Sequence, residues 1–409
     1  MKNTRIAAIT FIAVFYTTIL FAQRTTENIR VSQLFNFGWK FKAGDVANAE
    51  QKIFNDGNWR KLDLPHDFQI EQPWDKNANK GRGFKALGAA WYRKTFKADP
   101  IWKGKQILLD FEGIMLSGEV WVNGKKIGGT PYGYLGFEAD IADIIHYDAD
   151  NVVAVRSTTE GGSRWYTGGG LFRDVYLVVK DKISIARHGI FITTPKISAQ
   201  AAELSVQVEV AGIKGKEYDL EINTKLFSPE GKQVAETKTV APKRSNLVEV
   251  EVPLPKVNIT NPQLWSCETP NLYSAEVTLV LNGKIIDKLT KKFGIRTIEF
   301  SKEFGLKLNG KKVFLKGMAN HDDLGAVGVA AYKTSISRMM DQLKAFGFNH
   351  IRTSHNPYSE SFFDLADEKG ILVVDELYDK WGSTVAWAGS APWNDIWYSN
   401  IKEWIKRDR

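Results

Sequence analysis

Three short stretches in the last quarter of the chain combine residue types that bind polar ligands: Asn320-His321-Asp322-Asp323, Arg352-Thr353-Ser354-His355-Asn356, and Asp375-Glu376. Each follows a short apolar run that reads as a strand. Together they offer hydrogen-bond donors and acceptors, as a ligand rich in hydroxyl groups requires, because each hydroxyl can donate once and accept as well. His321, His355, Asn356, Asp375 and Glu376 are therefore expected binding residues. Two other chemistries are set aside. Ser354-His355 is not expected to form a nucleophile–base pair, since residues adjacent on a strand point to opposite faces. His321 with Asp322 and Asp323 lacks a second histidine at ligand spacing, which argues against a metal site.

The elements that must position these residues change in period along the chain. From about Arg30 to Lys180 the sequence reads as short strands. Gly118-Glu119-Val120-Trp121-Val122 meets Asn123-Gly124, a preferred pair for a tight hairpin turn. Asn151 to Val155 and Asp174 to Val179 are further strands, and no helical period of useful length interrupts them. This composition predicts a β-sandwich of jelly-roll type over 27–182. A second all-β stretch, 183–298, contains the clean alternation Leu204 to Val210 and another hairpin signal at Asn282-Gly283. Its size suits an immunoglobulin-like sandwich.

Near Phe304 the pattern turns to strand–helix repeats, assigned to 299–409. Val313-Phe314-Leu315 is the first expected strand. A helix capped by Thr334 follows, with Ile336, Met339, Met340 and Leu343 on one face and Gly347 at its left-handed end. Next come a strand at Asn349 to Arg352, a helix at about Glu360 to Glu368, and a strand at Ile371 to Val374. A last helix is expected to bury Trp397, Ile401, Trp404 and Ile405. These are read as the first three units of a (β/α)₈ TIM barrel, which needs eight units and about 250 residues. An isolated three-stranded parallel sheet would leave an apolar edge, so the barrel is expected to continue past Arg409. In such a barrel the active site sits at the C-terminal ends of the strands, where all three polar stretches fall.

Composition narrows the function further. The net charge of +8 is spread along the chain without a basic block, and no nucleic-acid motif is present, so a nucleic-acid partner is not expected. Lys2 and Arg5 precede an apolar run from Ile6 to Phe21, with Ala22-Gln23 as the expected cut. Residues 1–22 therefore read as an export signal, and the protein as periplasmic or extracellular. The run is short for a membrane span and contains Tyr16, Thr17 and Thr18, so stable membrane insertion is not expected. Cys267 is the only cysteine, which excludes an intrachain disulfide.

Ordered landmarks across the chain resemble glycoside hydrolase family 2. Leu64-Pro65-His66-Asp67, Trp91-Tyr92-Arg93, Trp121-Val122-Asn123-Gly124 and Ser163-Arg164-Trp165-Tyr166 through Arg173-Asp174-Val175 are similar to its sugar-binding sandwich. Leu264-Trp265, Pro270-Asn271-Leu272-Tyr273 and Phe293-Gly294-Ile295-Arg296 are similar to the middle sandwich. Leu308-Asn309-Gly310-Lys311, Arg352 to Pro357 and Asp375-Glu376 resemble the barrel segment. Asn356 departs from the aromatic that often follows the histidine, and Leu377 to Gly382 lacks a histidine common in β-galactosidases.

The resemblance implies a retaining exo-β-glycosidase of β-galactosidase type acting on oligo- or polysaccharide, with β-glucuronidase or β-mannosidase specificity as alternatives. A non-catalytic carbohydrate-binding protein is the reading from another class. Residue by residue, it implies that His355 contacts substrate, and that Asp174 projects from the first sandwich to the barrel pocket near His355, meeting sugar and a sodium ion. No cofactor is required; sodium or magnesium would follow related β-galactosidases, and a homo-oligomer is compatible with the full-length protein. Retaining glycosidases use two carboxyl groups about 5–5.5 Å apart. Asp375 and Glu376, adjacent on a strand, are not expected to converge in that way. The family pattern places the catalytic glutamates downstream of Arg409, so the chain 1–409 is expected to be inactive.

Overall fold

A computed structural model describes residues 29–160, 164–215, 217–242, 248–380 and 391–409. The expected export signal lies outside the described residues. Among those described, no helix is long and apolar enough to cross a membrane.

Alternating apolar residues build the first unit as two antiparallel sheets. One runs Val31–Leu34, Val175–Lys180, Gln106–Phe111, Phe137–Asp140. The other runs Arg60–Leu62, Trp39–Ala43, Ala89–Phe96, Asn151–Thr158, Ser117–Val122, Lys125–Thr130. Their inner faces close over Trp39, Tyr92, Leu109, Phe111, Val122 and Val155, all buried. Asn123 and Gly124 both take positive φ, 52° and 84°, at the hairpin that the sequence marks.

The second unit packs the sheet Ser184–Ile197, Ala201–Ala211, Glu249–Pro253 against Gln233–Val240, Leu220–Phe227, Tyr273–Leu281, Lys284–Phe293. Every second residue of Ala201–Ala211 is buried, as its alternation requires. The third unit holds a parallel sheet of Gly317–Asn320, His350–Thr353 and Leu372–Val374. Its helices are α1 (Lys333–Ala345), α2 (Glu360–Lys369) and α3 (Trp393–Asp408).

Local details differ from the sequence reading. The apolar triplet Val313-Phe314-Leu315 is not a strand, and Phe314 is 76% exposed. Parallel pairing starts at Gly317 instead, where the chain comes so close to His350 that a Cβ would lie 2.1 Å from its Nδ1. Helix α1 starts one residue before Thr334, after Tyr332, because Ala331 N–H is already held by the jelly-roll carbonyl of Phe172 at 2.9 Å. In α3, Ile405 turns to solvent, whereas Arg407 is the buried residue. The apolar stripe that docks this helix is Ile396, Ile401 and Trp404.

Charged and polar side chains tie the three units together. Arg187 of the second sandwich reaches Asp110 of the jelly roll at 3.0 Å and Glu403 of α3 at 2.5 Å. Trp265 donates from its indole to the Asp367 carbonyl of α2 at 2.8 Å.

Candidate active site

Register brings the strand ends level: Asn320 lies opposite Thr353, and Arg352 opposite Val374. The next residues along each strand therefore share one rim. His321 donates from Nδ1 to the Ser354 carbonyl at 3.0 Å. His355 donates from Nδ1 to Glu376 Oε2 at 2.7 Å, and the other oxygen of that carboxylate is held by the Arg352 guanidinium.

Asp375 and Glu376 diverge, but not for the reason read from the sequence. The strand stops at Val374, so neither belongs to it. Thr353 separates them: its hydroxyl donates to Asp375 Oδ1 at 2.8 Å and accepts from the Glu376 N–H at 2.9 Å. Asp375 thereby turns inward, where the Trp404 indole caps its second oxygen, while Glu376 faces the rim. Ser354 also lies past its strand, which ends at Thr353, and its buried hydroxyl has no hydrogen-bond partner among the described residues.

The jelly roll completes the rim with a loop from the other end of the chain. Trp165 stacks on His321 (5.6 Å, 20°) and meets His355 edge-on (5.7 Å, 72°). Its neighbour Arg164 grips Asp379 through Nε at 2.8 Å and Nη2 at 2.5 Å. This bidentate bond, the strong form of the pair, holds the Asp379 carboxyl below the usual range. Asp379 Oδ1 also lies 3.9 Å from His355 Nε2. One imidazole is thus flanked by two carboxylates, each already paired with an arginine. A cavity of about 600 Å³ opens beside it, lined by Arg164, Arg352, His355, Glu376, Tyr378 and Trp404 among others.

Besides Asp375, which turns inward, two more expected binding residues sit elsewhere. Asn356 is fully buried, bonded to the Pro357 carbonyl at 3.1 Å, and does not line the cavity. Asp174 accepts from the Asn36 amide at 2.7 Å and the Tyr176 hydroxyl at 3.3 Å, both within the jelly roll. Its neighbour Arg173 is the residue that crosses to the barrel. Arg173 reaches the Pro357 carbonyl at 2.8 Å and Asp322 at 3.1 Å. Asp322 is thus a support under the rim, pushed up to about 6 by burial against the pull of Arg173. Asp379 and the rim role of Arg164-Trp165 were missed from the sequence; the only available signal was their place in stretches that resemble the family.

Burial and the nearby Asp408 push Asp375 up to about 7 from an ordinary 3.8. The folded state then keeps a proton that the unfolded chain loses, so stability falls as pH rises between 3.8 and about 7. Because Trp404 bonds this carboxyl, indole emission is expected to titrate near neutral pH, and Asp375→Asn is expected to abolish the step. A step at the pH of an ordinary carboxyl, about 4, would show that Asp375 is solvated instead.

Comparison with known proteins adds an independent line. Models of glycosyl hydrolases family 2 match the chain in order: the sugar binding domain over 47–181, the family's central domain over 184–296, and its TIM barrel domain over 300–393. The β-galactosidase BoGH2A of Bacteroides ovatus is 34% identical over 380 residues, 92% of this chain and 44% of that protein. A crystal structure of a family 2 member from Bacteroides cellulosilyticus superposes with a TM-score of 0.87 at 35% identity, covering 92% of this chain and 50% of its own. A β-glucuronidase of Bacteroides uniformis superposes at 0.81 with 26% identity, covering 92% and 45%. The chain thus spans about half of the length of these relatives, or less.

Proposed function

The chain belongs to glycoside hydrolase family 2, and from that membership we propose that the protein of which it forms part is a retaining exo-β-glycosidase. It would release terminal β-linked sugars from oligo- or polysaccharide after export from the cytoplasm. The observation that carries this reading is the rim itself. His355 presents an imidazole oriented by Glu376 and packed edge-on against the buried Trp165, and it lines one cavity at the strand ends together with Trp397 and Trp404. Such groups grip hydroxyls and the apolar face of a sugar ring.

A neutral sugar of galactose type is the proposed substrate, with a uronic acid as the second reading. Arg352 and Arg164 are neutralised by Glu376 and Asp379, whereas Lys380, which also lines the cavity, is the cation that would meet a sugar carboxylate.

The residues 1–409 alone are proposed to bind without cleaving. Cleavage requires a protonated acid and a second carboxylate at the anomeric carbon. Glu376 and Asp379 are each committed to an ion pair with an arginine. Asp375, pushed up to about 7, spends its oxygens on Thr353 and Trp404. The catalytic pair is therefore proposed to lie outside these residues.

The test compares the purified 1–409 chain with the complete protein on 4-nitrophenyl β-galactoside. The expected result is turnover by the complete protein alone, with the β-anomer released first by NMR. Inverted product would end the retaining assignment. Turnover by 1–409 that is lost in Glu376→Gln would place the chemistry on the rim described here.

A further inference from the structure

Trp74 is 71% exposed, in a protein that covers most of its large aromatic side chains. It sits at the base of a jelly-roll hairpin, bridged antiparallel to Lys85. The hairpin is well tied: Asp75 N–H donates to the Phe84 carbonyl at 2.9 Å, and Asn79 caps the Gly81 N–H at 2.8 Å. One face of the Trp74 ring is occupied by the Lys85 ammonium, 4.1 Å from its centroid. Lys85 is itself buried and fixed by the carbonyls of Ile70 and Gln72. The indole is thus held in place from one side while most of its surface stays open to solvent. Phe84 and Leu87, on the same segment, are also exposed.

The tip of this hairpin abuts the rim. A Cβ on Gly81 would lie 3.0 Å from the Arg164 carbonyl, and one on Gly83 would lie 3.8 Å from the Tyr166 ring. Arg164 in turn holds Asp379 and lines the cavity. Trp74 is thus tied to the cavity rim through the backbone of one short hairpin.

We propose that Trp74 is a stacking platform for a sugar ring on the leaving-group side of the substrate, outside the cavity that takes the terminal residue. The ligand class is an unbranched β-linked oligosaccharide, whose pyranose rings carry an apolar C–H face that fits an indole and hydroxyl edges that meet the polar hairpin. An open aromatic face costs hydration free energy that stacking recovers. Lys85 holds the ring ready, so little ordering remains to be done on binding. This inference rests on the glycosidase reading above.

The experiment uses the complete protein and two substrates: β-1,4-galactotetraose, which has sugar on the leaving side, and 4-nitrophenyl β-galactoside, which has none. The readout is the ratio of kcat/KM for the tetrasaccharide to that for the aryl glycoside. Trp74→Ala is expected to lower this ratio roughly tenfold, mainly through KM, in keeping with the loss on truncating a tryptophan anchor. Trp74→Tyr, which keeps an aromatic face, is expected to restore most of it. An unchanged ratio in Trp74→Ala, or an equal loss in Trp74→Tyr, overturns the platform. A complete protein that turns over the aryl glycoside with no preference for the tetrasaccharide also overturns it while leaving the glycosidase reading intact. One that turns over neither overturns both.

Discussion

Arg173→Met is expected to destabilise the protein by about 3–5 kcal/mol, the usual cost of stranding one partner of a buried ion pair. Arg173 is fully buried at the junction of jelly roll and barrel. Its guanidinium serves the Tyr134 carbonyl at 2.7 Å, the Pro357 carbonyl at 2.8 Å and Asp322 at 3.1 Å. Methionine preserves much of the length but removes the donor of the Tyr134 carbonyl and of the Asp322 carboxylate, while the Pro357 carbonyl keeps Asn356. The loss should depend on pH with a definite sign. Asp322 already titrates at about 6 because burial disfavours its charge, and Arg173 is what keeps the value from rising further. Without the arginine the carboxyl protonates at a higher pH. The native state then binds the additional proton, and stability falls as pH rises through the widened window above the ordinary 3.8. Urea unfolding at pH 8 and pH 4 measures this: the difference between wild type and variant should be large at the first and much smaller at the second. A loss below about 1 kcal/mol at both values, the range of a surface pair, would show that the junction is solvated.

Asp67→Ala is expected to cost a comparable amount, about 4 kcal/mol, by a different route. This buried carboxylate accepts from the backbone N–H groups of Gln69 at 2.9 Å, Gly169 at 2.9 Å and Val329 at 3.0 Å, and from the Tyr166 hydroxyl at 2.6 Å. Alanine leaves four buried donors without an acceptor, each worth about 1–3 kcal/mol before relaxation and water entry reduce the sum. The site is also tightly built. Gly328 has φ of +60°, and a Cβ there would lie 2.1 Å from Asp67 Oδ2. Asp67 thus clamps the rim loop 164–166 on one side and the barrel loop before α1 on the other. The check is a thermal melt of Asp67→Ala beside Gly328→Ala, with proteolysis at the loop near Arg164 as a local probe. Both variants should melt early and be cut sooner than wild type. An Asp67→Ala protein with an unchanged melting temperature would mean that water replaces the carboxylate without loss.

Both predictions concern contacts that span more than a hundred residues: Arg173 with Asp322, and Asp67 with Val329. The loop of Arg164 and Trp165, the barrel rim and the Trp74 hairpin share these supports. Loosening either should therefore disturb Trp165 and Arg164, and through Asp379 the imidazole of His355.

Reading the amino acids in order was enough to find the three units, the hairpins at Asn123-Gly124 and Asn282-Gly283, the end of α1 at Gly347, and the rim positions of His321, His355 and Glu376. Those features are local. A strand repeats every two residues, a helix every 3.6, and a turn announces itself by the residues that tolerate positive φ. The tertiary structure decided the rest. It sent Arg173 rather than Asp174 across to the barrel, buried Asn356, and turned Ile405 outward with Arg407 inside. It also brought Arg164 and Asp379 together across 215 positions of sequence. Which of two adjacent polar residues faces a neighbouring domain depends on where that domain sits, and local period carries no record of it. Partners hundreds of residues apart are selected by burial and charge at the moment the units pack, when an unpaired arginine or carboxylate becomes costly.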